Sequence, residues 1–180
     1  MARLDGHASA EIDAPLERVW SVVEDVLAAP EWQGGLDRVR ALEHDADGRP
    51  TLVDSDADIK VTRVKSRVRI RYQGPTRLSW VQVQGDLKSV EAVWELEDLG
   101  HGRTRVSYRF DADPGRVLGM VIRGPVLAAM RAIFVNGRPG ELRRRVEAAR
   151  ATVPPLSPGQ GRQLAQGGDE AVPEDVGDRG

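Results

Sequence analysis

Between residues 36 and 111 the chain alternates apolar and polar side chains with a period of two, the period of a β-strand that is buried on one face. The alternating segments are separated by DADGRP, QGPT, QGD and LGHG, whose Gly, Pro and Asp residues favour tight turns. The pattern predicts an antiparallel meander of six strands, over residues 37–44, 51–59, 61–72, 77–84, 89–98 and 103–111.

One face of the predicted strand 61–72 carries five cations at alternate positions. Such a row is typical of a surface that binds nucleic acid or phospholipid. The preceding strand, however, places Asp54, Asp56 and Asp58 on its polar face, where a hairpin would set them opposite the cations. Because each such pair contributes about 0.2–1 kcal/mol, an ion-paired outer face explains the row, and an anion-binding face is the alternative. The last hairpin repeats the arrangement, with Glu91, Glu95 and Glu97 on one strand and Arg103, Arg105 and Arg109 on the next.

Helical periodicity flanks the strand region on both sides. A first strand over 7–13 is followed by an amphipathic helix over 16–27. Residues 115–150 predict a long C-terminal helix that is interrupted by Gly and Pro at 124–125 and again at 137–140. Since only these helices can cover the apolar face of the sheet, we expect an α+β fold in which one curved antiparallel sheet wraps around the last helix.

The composition excludes several classes of function. Lys and Arg (26) nearly balance Asp and Glu (28), so the formal net charge of −2 creates no overall field that attracts nucleic acid. The absence of cysteine among 180 residues rules out disulfides, a thiolate nucleophile and cysteine-ligated metal. No apolar run reaches the length of a signal peptide or a membrane span, so we expect a cytoplasmic protein without stable membrane insertion. A domain over residues 1–151 is predicted to precede a disordered Pro/Gly-rich tail, 152–180.

The order of these elements and several motifs resemble a known superfamily. DAPLERVW opens the first helix, PEW follows it as an aromatic elbow, and RLSW, AVWELE and GRTRVSYRF lie in later strands. Over residues 8–150 this order resembles the START-like (SRPBCC) superfamily of helix-grip proteins, in particular its polyketide cyclase/dehydrase and lipid-transport branch. The resemblance implies about seven strands around a long C-terminal helix, with a deep, mostly apolar cavity between them. The glycines and proline of VNGRPG depart from the family's usually more continuous last helix.

The expected cavity would have apolar and aromatic walls. The three tryptophans after the first helix match aromatic positions of the family, and the alternation of the strands turns the other wall residues inward. Plain core packing is the alternative for each of them. The predicted ligand-binding residues are Trp32, Val68, Ile70, Tyr72, Trp80, Trp94, Tyr108, Phe110, Val121, Met130 and Phe134.

Groups that could carry chemistry are scarce on the faces predicted to point inward. Strand interiors offer Tyr72, Tyr108 and a few hydroxyls, and no inward His, Asp or Glu. The three histidines are isolated at a strand start or in turns, and no metal-ligand spacing occurs. We therefore predict no catalytic residue, no metal and no cofactor.

Three functions remain compatible with the sequence. The first is a non-catalytic module that binds a small hydrophobic or amphipathic ligand, such as a lipid, quinone or polyketide-like ring, by burying its apolar surface. The second is a polyketide cyclase or aromatase that would use the Tyr72 or Tyr108 hydroxyl in an open cavity. The third is a protein-interaction module that uses the basic outer strand or the tail.

Overall fold

The strands form one antiparallel sheet in the order β1-β7-β6-β5-β4-β3-β2. The computed structural model describes residues 3–60 and 62–151, so the predicted tail 152–180 and the first residue of the predicted strand 61–72 lie outside the described residues. The strands are β1 (Leu4–Ile12), β2 (Leu36–His44), β3 (Pro50–Asp58), β4 (Arg63–Gln73), β5 (Arg77–Gly85), β6 (Ser89–Gly100) and β7 (Arg103–Asp113). The six-strand meander is confirmed, and β1 pairs with β7.

Ion pairs neutralise the cations on the outer face of the sheet. The register sets Asp54 opposite Arg67 and Asp56 opposite Lys65, as the alternation predicts. Asp54 accepts hydrogen bonds from Arg67 at 2.7 Å and from Arg40 at 3.1 Å. The hydrogen bond from Arg67, followed by the one from Arg40, holds the pKa of Asp54 below its usual value despite partial desolvation. The ion-paired interpretation of the charge rows is therefore confirmed for this hairpin.

The last hairpin follows the predicted charge pairing only in part. Glu97 lies opposite Arg105 and accepts a hydrogen bond from it at 2.9 Å. The residue opposite Glu91, however, is Asp111, so the prediction that Glu91 faces a cation across this hairpin is wrong. Asp111 instead pairs with Arg3 at 2.7 Å, at the outer edge of β1.

The apolar residues form two clusters on the inner face of the sheet. The first cluster joins the first and last helices to the sheet, and the second cluster lies near the ends of β1 and β7. The buried members of the first cluster are Ile12, Ala14, Val19, Trp20, Val23, Val53, Val68, Ile70, Leu78, Ala92, Trp94, Leu96, Val106, Tyr108, Leu142 and Val146. Those of the second cluster are Leu4, Ile59, Val64, Val90, Ala112, Ile122, Met130 and Phe134.

The first helix, α1 (Leu16–Glu24), is shorter than predicted. Asp25 leaves the helical conformation, with φ −78° and ψ 73°, and its carboxylate accepts a hydrogen bond from the Ala28 N–H at 3.3 Å. This Asx-type contact competes with continued helix, which is a known property of Asp. The predicted extension through Leu27 is therefore wrong, and Leu27 is exposed.

The C-terminal helical region has three helices: α2 (Gly115–Val121), α3 (Pro125–Arg131) and α4 (Arg138–Ala151). The predicted break at 124–125 is confirmed by a bend of 105° between α2 and the segment 125–136. The predicted break at 137–140 is confirmed only at its first residue, because Gly137 is a turn residue that separates the preceding helical segment from α4, although its dihedral angles stay helical. Residues 138–140 belong to α4, and Pro139 lies in its first turn, where a missing N–H costs little. The irregularity is a π-helical turn, Ala132–Asn136, just before it.

The same region contains two apolar helical segments that together have the length of a membrane span. Among the described residues, no single helix is both long enough and apolar enough to cross a bilayer. Only α2 together with residues 125–136 meets the length and composition, and this pair is sharply bent.

We expect Leu142→Ala to destabilise the protein by about 2–5 kcal/mol, because Leu142 of α4 is fully buried in the first cluster and its loss leaves a cavity. Arg143→Ala on the same helix is the control. Its exposed guanidinium makes only a surface pair with Glu147 at 3.5 Å, so its effect should stay within about 0.5 kcal/mol. Urea unfolding measures both values, and equal effects would show that α4 is not anchored through Leu142.

Candidate ligand-binding cavity

A cavity of about 160 Å³ lies on the inner face of the sheet, where the two clusters meet. The helices pack mainly on β1, β6 and β7, so they leave the inner side chains of β3, β4 and β5 less covered. The walls are mainly apolar and come from both clusters. The lining residues that these three strands contribute are Val53, Ser55, Ala57, Val64, Ser66, Val68, Ile70 and Trp80.

Seven of the eleven predicted wall residues line this cavity. The structure turns Trp80 of β5 inward, as predicted, whereas Val81 and Val83 of the same strand are exposed. That inward orientation is therefore confirmed, whereas a role in ligand binding stays a prediction. The seven residues are Val68, Ile70, Trp80, Tyr108, Phe110, Met130 and Phe134.

The other four predicted wall residues lie outside the lining, and as walls they were predicted wrongly. Trp94 is buried in the first cluster, and its ring centroid lies 6.3 Å from that of Trp32. The aromatic elbow after α1 thus packs on the core. Val121 is 55% exposed, because α2 ends there and only the following residue, Ile122, turns inward to the cavity.

Tyr72, the fourth of these residues, is held at the margin of the sheet. Its hydroxyl donates a hydrogen bond to the Pro50 carbonyl oxygen at 2.8 Å, and the Arg49 guanidinium lies 5.0 Å from its ring centroid. Burial, followed by the charge of Asp45, raises the pKa of Tyr72 to about 12. Tyr72 therefore acts as a structural hydrogen-bond donor away from the cavity.

A row of aromatic rings connects the core to the cavity wall. The Tyr108 ring centroid lies 4.5 Å from that of Trp94 and 6.4 Å from that of Phe110. Phe110 stacks in turn on Phe134, also at 6.4 Å. A Cβ on Gly35, whose φ is +78°, would come within 2.8 Å of the Phe134 ring, so glycine is needed there.

Hydrogen bonds within the protein satisfy the hydroxyl groups on the sheet side of the cavity. Ser55 donates to the Ser66 carbonyl oxygen at 3.2 Å, and the Ser66 hydroxyl donates to Gln82 Oε1 at 2.8 Å. Gln82 Nε2 then donates to the Leu87 carbonyl oxygen at 2.8 Å. These groups have already used the donors that could otherwise orient a ligand.

Sequence reasoning missed two polar residues that line the cavity, Gln33 and Arg138, and also Glu141, the partner of Arg138. Arg138 lines the cavity although only 3% of it is exposed, and its Nη1 donates to Glu141 Oε2 at 2.7 Å. Glu141 Oε1 also accepts a hydrogen bond from the Gly34 N–H at 3.2 Å. Helical spacing was the available signal, since residues 138, 142 and 146 share one face of a helix. The predicted break at 137–140 concealed it.

The third polar group of interest, Tyr108, is buried within the wall. Burial raises its pKa to about 12, and the positive charge of Arg138 opposes that rise without reversing it. At neutral pH the hydroxyl is therefore protonated and can donate a hydrogen bond. Residues 3–60 and 62–151 contain no group of three or more His, Cys, Asp or Glu side chains placed to hold a metal ion.

The architecture is that of a START-like helix-grip protein, with an antiparallel seven-stranded sheet, a C-terminal helix on its inner face and a cavity between them. The family described as polyketide cyclase / dehydrase and lipid transport matches residues 12–135, more than half of the chain. The protein belongs to this family. No curated protein matches its sequence.

Solved structures share the fold at low sequence identity. A START superfamily protein from Mycobacterium smegmatis is 21% identical, with a TM-score of 0.69 over 81% of this chain and 98% of that one. A protein from Thermus thermophilus is 19% identical, with a TM-score of 0.68 over 81% of this chain and 98% of that one. The Zhui aromatase/cyclase from Streptomyces sp. R1128 is 18% identical, with a TM-score of 0.64 over 82% of this chain and 98% of that one. At these identities the likeness is one of fold.

Both tyrosines of the chain should resist ionisation in the native protein. Because their folded pKa of about 12 exceeds the unfolded value of 10, the native state binds more protons between these pH values. The free energy of unfolding should therefore fall as the pH rises from about 10 to about 12. The absorbance of tyrosinate in a pH titration of the native protein measures the two pKa values. In the Tyr72→Phe variant, only the transition of Tyr108 remains. A native transition for Tyr108 near pH 10 would contradict its burial.

Proposed function

We propose that the protein binds a small apolar or amphipathic molecule, such as a lipid, quinone or polyketide-like ring, in this cavity without transforming it. The observation that carries the proposal is the space itself. Protein interiors normally pack to crystal-like density, yet about 160 Å³ is left between mainly apolar walls that include Val68 and Met130. Concave, mostly apolar sites with a few polar groups are typical of small-molecule binding.

The volume limits the size of the guest that fits this conformation. An engineered cavity of about 150 Å³ in another protein binds benzene, so about 160 Å³ suits a molecule with a single ring. A larger guest would require α2 and α3 to move. The link between them, at Gly124 with φ +51°, is the natural place for such a change because glycine tolerates that region.

A cyclase or aromatase activity is the second candidate, favoured by the family and by the position of Tyr108 in the wall. A general acid or base works best with a pKa near the operating pH, and that of Tyr108 is raised to about 12. The Tyr72 hydroxyl donates its hydrogen bond to the Pro50 carbonyl oxygen, outside the cavity. The described walls thus supply a hydrogen-bond donor more readily than a proton-transfer group, which supports binding over catalysis.

An interaction module is the least supported candidate. The cations of β4 that would attract an anionic partner are partly neutralised, since Arg67 pairs with Asp54 and Arg69 pairs with Glu43 at 3.0 Å. We propose instead that a small hydrophobic ligand is the main partner and that the protein does not bind nucleic acid. A cytoplasmic location fits the absence of cysteine from the sequence, and fractionation of the host cells would test it.

Ethylbenzene, an apolar single-ring probe, should stabilise the protein in a thermal unfolding assay. At 100 times its Kd the expected gain is about 2.7 kcal/mol, or roughly 5–10 °C in Tm. Ala57→Phe should abolish the shift, because Ala57 lines the cavity and a larger side chain fills it. Val83→Phe adds the same ring to an exposed position of β5 and should keep the shift.

Two results would count against the proposal: the absence of any shift with wild-type protein, or an equal loss of the shift in both variants. Native mass spectrometry of protein purified from its own host complements the assay. A bound small molecule should appear in the wild type and be lost in Ala57→Phe. Turnover of a polyketide substrate that is abolished by Tyr108→Phe would instead establish the cyclase candidate.

A further inference from the structure

Arg138 is the one described residue with a buried side-chain nitrogen that has no hydrogen-bond partner. Its guanidinium lies 5.3 Å from the ring centroid of Phe134, one turn earlier on the chain, and both side chains line the cavity. Nη1 is bonded to Glu141, whereas Nε finds no acceptor in residues 3–60 and 62–151. Because an unpaired buried donor costs free energy, native structures seldom retain one without a reason.

Tyr108 brings a second unused donor to the same cavity. Its hydroxyl oxygen accepts a hydrogen bond from the Arg138 side chain, because a guanidinium can only donate, and the described part of the chain shows no acceptor for the hydroxyl hydrogen itself. The ring is held between Trp94 and Phe110. Ser55 and Ser66, by contrast, donate their hydroxyl hydrogens to protein acceptors. The lining donors without a protein acceptor among the described residues also include the Gln33 amide and the Trp80 indole N–H, but Tyr108 and Arg138 are the two that lie against each other.

The charge at this end of the cavity is already balanced. Glu141 lies 2.7 Å from Arg138 and has little exposure, so the pair presents hydrogen-bond donors without a net positive charge. A carboxylate guest would have to lose its hydration and would add an uncompensated charge beside Glu141. A neutral oxygen acceptor can take a hydrogen bond there at a lower desolvation cost.

We propose that Arg138 and Tyr108 form a head-group site for a neutral carbonyl oxygen, as in a ketone or quinone, carried by an otherwise apolar ligand. This inference rests on the proposed function, since it requires that the cavity take a guest. It goes further by assigning the chemical class of the polar group and the two residues that recognise it. The aromatic and aliphatic walls would hold the remainder of the ligand.

Acetophenone and ethylbenzene test the assignment, because they differ only in that acetophenone has a carbonyl group where ethylbenzene has a methylene group. Tyr108→Phe removes one hydroxyl and keeps the ring. We expect it to weaken acetophenone binding about fivefold, the effect of losing one hydrogen bond, and to change ethylbenzene binding less than about twofold. Isothermal titration gives both dissociation constants. Tyr72→Phe removes the chain's other phenolic hydroxyl, outside the cavity, and should change neither constant.

The guanidinium is tested in the double variant Arg138→Met with Glu141→Gln. Both partners of the pair are replaced together so that no unpaired charge stays buried, and the introduced amide oxygen can still accept a hydrogen bond from the Gly34 N–H. The expected result is again a selective loss of acetophenone affinity. Because Tyr108→Phe preserves the packing of the ring, it remains a valid test if the double variant does not fold.

The outcomes separate this inference from the proposed function. If both probes bind and Tyr108→Phe weakens them equally or not at all, the head-group site is overturned while the cavity proposal stands. If benzoate binds wild-type protein more tightly than acetophenone at neutral pH, the assignment of a neutral acceptor is overturned. If neither ethylbenzene nor acetophenone binds the wild type, both proposals fail.

Discussion

The structure depends on covering the apolar inner face of a sheet whose outer face is charged. Strand alternation places Asp54 and Arg67 outside and Val53 and Val68 inside, so the sheet has one face that must leave water. Few elements are available to cover it. The last helix, α4, covers the region of β1 and β7, and the bend between α2 and α3 brings Ile122 and Met130 over one end.

The cavity follows from this shortage of cover. A curved sheet of seven strands presents more inner surface than a short helix can contact, and the uncovered part lies over β3 to β5. Aromatic stacking through Trp94, Tyr108 and Phe110 holds one wall rigid, so the space does not simply collapse. The π-helical turn before α4 places Phe134 against the same cavity, and the first residue of α4, Arg138, lies there too.

The sequence predicted the strands well because alternation and turn residues are local signals. The pairing of the β3 aspartates with the β4 cations was also predictable, since alternation places both rows on the same face of the hairpin. Long-range packing was not predictable. Trp94 and Tyr72 were predicted as cavity walls because the alternation shows that they point inward. It does not show that Trp94 packs in the first cluster or that Tyr72 bonds to the Pro50 carbonyl. Arg138 was missed because Gly and Pro nearby were taken as the end of a helix, whereas the backbone accommodates them in α4.

The cavity lies where the two clusters meet, so both contribute to its walls. The first cluster, with Leu142 and Trp94, ties the helices to the sheet. The second cluster, with Val90 and Met130, has fewer buried members and borders the cavity together with first-cluster residues such as Val68. Substitutions in the second cluster would therefore change the shape of the cavity while the contacts of Leu142 and Trp94, which join the helices to the sheet, stay in place. If the proposed binding is right, one framework could accept differently shaped ligands in this way.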